Sequence, residues 1–144
     1  NAAAEMLQMM NNVDPNRMAI AGHCMGGRVS FLGVAEIGAF KCNVAYYSGN
    51  MFKVMGTGDA TPFEKLAKLR GPVIGFFGAD DQNPSSDDVA KIDERLSELG
   101  IEHEFHSYEG AGHAFQNFTN PGHYRPAATA DSMTKMFSWL EKHL

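Results

Sequence analysis

The chain has 144 residues, 44% of them hydrophobic, with 12 basic and 17 acidic side chains for a formal net charge of −5. That is one domain's worth of sequence, enough for one core, and a single domain over residues 1–144 is expected. There is no basic stripe, no apolar run of transmembrane length and no signal-peptide pattern, so no nucleic-acid or membrane partner is expected.

Residues 2–11 are strong helix formers with apolar side chains at helical spacing. Asn12-Val13-Asp14-Pro15-Asn16 ends that helix. Arg17 to Ala21 reads as a short apolar strand, and Gly26 to about Ile37 as the helix behind it. Cys42 to Tyr47 is a second strand. After a glycine-bearing loop, Thr61-Pro62-Phe63-Glu64 has the cap, the proline and the acid of a helix start. Val73 to Phe77 is the third strand. Ser86 or Asp87 is expected to cap a helix that runs to about Leu99 and stops at Gly100. Glu102 to Tyr108 is the fourth strand. A last helix runs from Pro126 or Ala127 to His143, with Met133, Met136, Phe137 and Leu140 as its expected core stripe. Strands alternating with helices predict a parallel sheet of about four strands with helices on both faces.

The two cysteines, Cys24 and Cys42, are few for a disulfide scaffold, and a reducing, cytoplasmic setting is expected. Cys24 stands in Gly22-His23-Cys24-Met25-Gly26-Gly27, directly after the first strand. Gly-x-Cys-x-Gly between a strand and a helix is the layout of a nucleophile elbow with cysteine in the usual place of serine. Gly22 and Gly26 are expected to relieve crowding at a strained turn. The N-terminus of the following helix would favour a thiolate, and the Met25 N–H would supply one oxyanion donor. The plain alternative is a structural cysteine in a glycine-rich turn.

Ligands of parallel sheets lie beyond the carboxyl ends of the strands. The third strand is followed there by Gly78-Ala79-Asp80-Asp81, and the fourth by Gly110-Ala111-Gly112-His113-Ala114-Phe115. Nucleophile, acid and base thus follow in the chain order of α/β-hydrolases, which predicts a Cys24–Asp81–His113 triad. Asp80 competes for the acid role. Asp81 is preferred because it leaves two residues to turn the chain after Gly78. His103, His106, His123 and His143 lack a comparable context. His23 flanks the nucleophile and is expected to line the pocket, as is Phe115, with Phe52, Phe118 and Tyr124 as further aromatic candidates. No pair of His, Cys or Asp has close metal-ligand spacing, so no metal is expected.

The motifs Gly22-His23-Cys24-Met25-Gly26-Gly27, Tyr46-Tyr47-Ser48-Gly49, Gly78-Ala79-Asp80-Asp81 and Tyr108 to Phe115 resemble the dienelactone hydrolase family, over nearly the whole chain from Val13 to Leu144. The resemblance implies hydrolysis of a small ester or lactone without cofactor, with the family's cysteine, acid and base falling on Cys24, Asp81 and His113. It also implies that the chain corresponds to the C-terminal half to two-thirds of a truncated α/β-hydrolase fold. Family members carry further strands, the second oxyanion donor and a substrate-binding arginine ahead of the elbow. Asn1 in place of Met fits a fragment or a processed chain. Without those strands, strand 17–21 becomes an apolar edge. A homodimer is then expected, pairing two such edges into a sheet of about eight strands. A non-catalytic or partner-dependent remnant, and acyl or thioester transfer, are the rival functions.

Overall fold

The computed structural model describes residues 2–144. In chain order the elements are α1 Ala2–Gln8, β1 Ile20–His23, α2 Met25–Glu36, β2 Asn43–Tyr46, α3 Pro62–Lys65, β3 Val73–Gly78, α4 Ser86–Glu98, β4 His103–Tyr108 and α5 Pro126–His143. A 3-10 turn, Leu66–Lys68, continues α3. The four strands pair in parallel in the order β1-β2-β3-β4.

Alternation along the strands builds a core on each face. Val44, Tyr46, Ile74 and Phe76 pack with Ala128 and Trp139 of α5. Ala45 and Val73 pack on the other face with Phe31 of α2 and Ile92 and Leu96 of α4. Helices therefore cover both faces, as expected from the alternating pattern.

Register adds an aromatic row. His23, Tyr46, Phe76 and His106 are consecutive cross-strand partners over all four strands. Their rings stack at 4.5, 4.7 and 5.6 Å between centroids. Stacking of this kind contributes ~1 kcal/mol per pair beyond area burial, and the row stiffens the sheet near its carboxyl end.

Several element bounds differ from expectation. β1 is Ile20–His23 rather than 17–21. Arg17 N–H closes a turn onto Asp14 O at 3.0 Å, and although Lys41 N–H already reaches Met18 O at 2.7 Å, the regular register starts at Ile20, whose N–H donates to Cys42 O. Ser85, not Ser86 or Asp87, caps α4, because its hydroxyl and the Asp88 carboxylate bond each other's backbone N–H in a capping box. The Thr61–Glu64 capping box forms as expected. In α5 the buried side chains are Ala128, Ser132 and Trp139, while Phe137 is 59% exposed. Burying Trp139 and seating small residues against Tyr46 rotates the helix. Met136 and Leu140 are left at the margin of the core and Met133 outside it.

Among the described residues β1 lies at a sheet edge with no strand on its outer side. Beside it, Ala4, Ile20, Val29, Leu32, Ile37 and Phe40 line an open apolar hollow of about 390 Å³.

Candidate active site

Cys24 sits between β1 and α2 with φ 55° and ψ −119°, a backbone conformation that side chains rarely adopt. Two bonds hold it there. Its N–H donates to Tyr46 O at 3.0 Å, and its carbonyl accepts from Arg28 N–H at 3.3 Å in the first turn of α2. The turn is as tight as expected, but the glycines divide the work differently. A Cβ on Gly22 would strike the Gly26 carbonyl, and one on Gly27 would strike the Ser48 side chain. A Cβ on Gly26 would meet nothing within 4 Å. Crowding therefore demands Gly22 and Gly27, not Gly26, because the Gly26 backbone is the obstacle rather than the obstructed group.

The two cysteines occupy opposite environments. Cys24 is exposed. Cys42 is fully buried, and burial pushes its thiol up to about 11, where it stays protonated and unreactive at neutral pH.

The loops after β3 and β4 are bonded to one another. Ala79 N–H donates to Tyr108 O at 3.0 Å and Asp80 N–H to Ala111 O at 2.9 Å. This places Asp81 beside His113. The imidazole Nδ1 donates to Asp81 Oδ2 at 2.8 Å, and Asp81 is only 5% exposed. Asp80 is exposed and serves the turn through its backbone. The second oxygen of Asp81, Oδ1, accepts from Asn83 N–H at 2.9 Å. The Asp81 hydrogen bond raises the His113 pKa from 6.5 to about 9 against the opposing effect of burial. The Cys24 side chain lies near enough to the ring to push it in the same direction.

Tyr47 joins this group from the end of β2. It is buried, with φ 37°, and its ring stands edge-on to that of His113 at 5.1 Å between centroids. Burial, reinforced by Cys24 and Tyr46, pushes its hydroxyl up to about 12. In the sequence Tyr47 is visible only as part of the Tyr46-Tyr47-Ser48-Gly49 motif, and nothing there places its ring on the histidine.

The remaining candidates scatter. Met25 opens α2, so its N–H is at the helix N-terminus beside Cys24. His23 stacks on Tyr46, and its Nε2 bonds Gln116 Oε1 at 2.7 Å. Phe115, expected in the pocket wall, is fully buried instead and packs behind Tyr47 at 5.3 Å. The chain bends at Ala114, whose φ of 60° turns the next side chain into the core. Phe118 is 77% exposed, and Phe52 packs on Phe63 at 4.6 Å. Asn50, Asn83 and Arg28 are residues the sequence did not single out. The one signal was an arginine placed directly after a double glycine in the first turn of a helix.

The chain matches the dienelactone hydrolase family over residues 1–144. It is 29% identical over 133 residues to a Salmonella typhimurium protein named "Putative carboxymethylenebutenolidase", covering 92% of this chain and 49% of that protein. A Methylorubrum extorquens protein of the same name is 29% identical over 147 residues, covering 99% and 49%. The chain thus spans about half the length of these curated relatives. Among solved structures, the "Putative Dienelactone Hydrolase" of Klebsiella pneumoniae superposes with a TM-score of 0.88 at 26% identity, over 96% of this chain and 57% of that one. The elbow, the four-stranded parallel sheet and these matches share one explanation: the chain belongs to the dienelactone hydrolase family and has its α/β-hydrolase fold.

Proposed function

We propose that the site hydrolyses small esters or lactones through a covalent acyl-enzyme intermediate, with Cys24 as nucleophile, His113 as acid and base, and Asp81 as the group that orients the imidazole. The observation that carries this reading is the 2.8 Å bond from His113 Nδ1 to the buried Asp81 carboxylate, with the exposed Cys24 at the same ring. The names of the relatives, carboxymethylenebutenolidases, favour a lactone among possible substrates.

The chemistry follows from the positions. The Cys24 sulfur attacks the acyl carbon to form a thioester, and the C–O bond to the leaving group breaks. His113 gives its proton to the departing oxygen. The Met25 N–H and the positive end of α2 stabilise the oxyanion of the tetrahedral intermediate. In the second half, His113 takes a proton from water as the water attacks the thioester. The C–S bond breaks and the thiolate is restored. Asp81 stays ionised and keeps the imidazole in the tautomer that aims Nε2 at the reaction.

The test is hydrolysis of a p-nitrophenyl ester by the wild type, Cys24→Ala, His113→Ala and Cys42→Ala. Loss in the first two variants and retention in the third supports the reading. Equal activity in Cys24→Ala and Cys42→Ala overturns it.

A further inference from the structure

Arg28 is a charged residue in an unexpected place. It lies in the first turn of α2 and is 5% exposed. Burial lowers its pKa, and among the described residues no acidic group offsets the effect. A cation near the positive end of a helix, buried and without a counter-ion, is a costly arrangement. Its guanidinium donates from Nη1 to the carbonyl of Asn50.

Asn50 is itself strained, with φ 55°. Such a residue keeps its conformation only where its surroundings fix it from several sides. Both of its backbone groups are used: the carbonyl accepts from Arg28, and the N–H donates to Asn83 Oδ1 at 2.8 Å. Asn83 in turn donates its own N–H to Asp81 Oδ1 at 2.9 Å, while Asp81 Oδ2 holds His113. Gly49 completes the fit, since a Cβ there would stand 3.0 Å from the Asn83 amide. One continuous chain of bonds thus runs from the helix behind Cys24 to the carboxylate behind His113.

We propose that Asn83 is a positioning residue for Asp81, locked by an Asn50 turn that Arg28 anchors to the nucleophile helix. Asn83 fixes one carboxylate oxygen so that the other stays on the imidazole, and Arg28 couples that placement to the elbow. The proposal rests on the hydrolase reading of the site. It gives the buried arginine a role although, among the described residues, no carboxylate meets it: a guanidinium remains charged when buried, and its Nη1 holds the Asn50 carbonyl.

The test uses the full chain and two readouts. NMR titration of the His113 imidazole, without substrate, reports the Asp81 contact. Steady-state hydrolysis of a p-nitrophenyl ester reports kcat and KM. Asn83→Ala is expected to lower the His113 pKa by about one unit and kcat about tenfold, with KM within about twofold. Asn83→Asp keeps an acceptor for the Asn50 N–H and is expected to restore most of both. Arg28→Met is expected to act in the same direction as Asn83→Ala. If Arg28→Met does not fold, the two Asn83 variants decide, because the Asn83 side chain lies at the surface. A folded Asn83→Ala with an unmoved His113 titration overturns the proposal. That outcome is separate from failure of the hydrolase reading, which shows as a wild type without Cys24-dependent turnover.

Discussion

His23 and Tyr46 stack nearly face to face, with ring centroids 4.5 Å apart and planes inclined by 7°. The residue beside the nucleophile is thereby held against the sheet. Its Nε2 is also taken by Gln116, whose amide donates to Ser132 Oγ of α5 at 3.0 Å. His23→Ala is accordingly expected to cost about 1–2 kcal/mol of stability, from one stacked pair and one hydrogen bond. Its kcat/KM for an ester should change by only a few fold. Urea unfolding alongside ester kinetics checks this, and a large kinetic loss without a stability loss would assign His23 to the site.

The glycines of the elbow give a sharper steric test. Gly22→Ala forces a Cβ into the Gly26 carbonyl and should leave little folded, active protein. Gly26→Ala meets open space inside a helix, where alanine is favoured over glycine by ~1 kcal/mol. Gly26→Ala should therefore melt at or above the wild-type temperature. The opposite ranking of the two variants would contradict the local geometry of the turn.

The fold's outline was legible in the sequence because its signals are local. Apolar runs ended by glycines marked the strands, and Asp81 and His113 stood out because each closes a strand-end loop. What escaped is non-local. The start of β1 depends on where regular register with β2 sets in, at Ile20 opposite Asn43, which the residues before it do not reveal. The buried stripe of α5 was misplaced because Trp139, not Phe137, won the core, and that choice is made by Tyr46 and Ser132 across the interface. Phe115 looked like a pocket wall until the positive φ of Ala114 turned it inward. Arg28, Asn50 and Asn83 form a unit only in space.

The pH dependence of stability follows from His113. Its folded-state pKa, about 9, lies above the unfolded value of 6.5 because Asp81 holds the protonated ring. The stabilisation is therefore present in full below about pH 6.5 and disappears as pH rises through about 9. Unfolding free energy measured from pH 6 to 10 should fall across that window in the wild type. Asp81→Asn, which removes the partner, should flatten the fall. A wild type that gains stability between pH 7 and 9 would contradict the assignment.

The free side of β1 carries a prediction about assembly. This 144-residue chain, studied as such, is expected to sediment as a dimer through the β1 edge and the apolar hollow beside it, because an unpaired edge next to exposed apolar surface favours pairing. Val29 is 52% exposed in that hollow, and Val29→Lys should shift the equilibrium to monomer. A wild type that stays monomeric at tens of micromolar, on the order of the concentrations used in sedimentation, would remove the edge as an interface.

The central claim is that Cys24 carries the acyl group. Brief incubation with p-nitrophenyl acetate, rapid acid quench and mass spectrometry of the digested chain tests it directly. The expected result is an acetyl adduct on the peptide bearing Cys24, absent in Cys24→Ala and retained in Cys42→Ala. Undiminished ester turnover in Cys24→Ala, with no adduct on Cys24 in the wild type, would contradict the account.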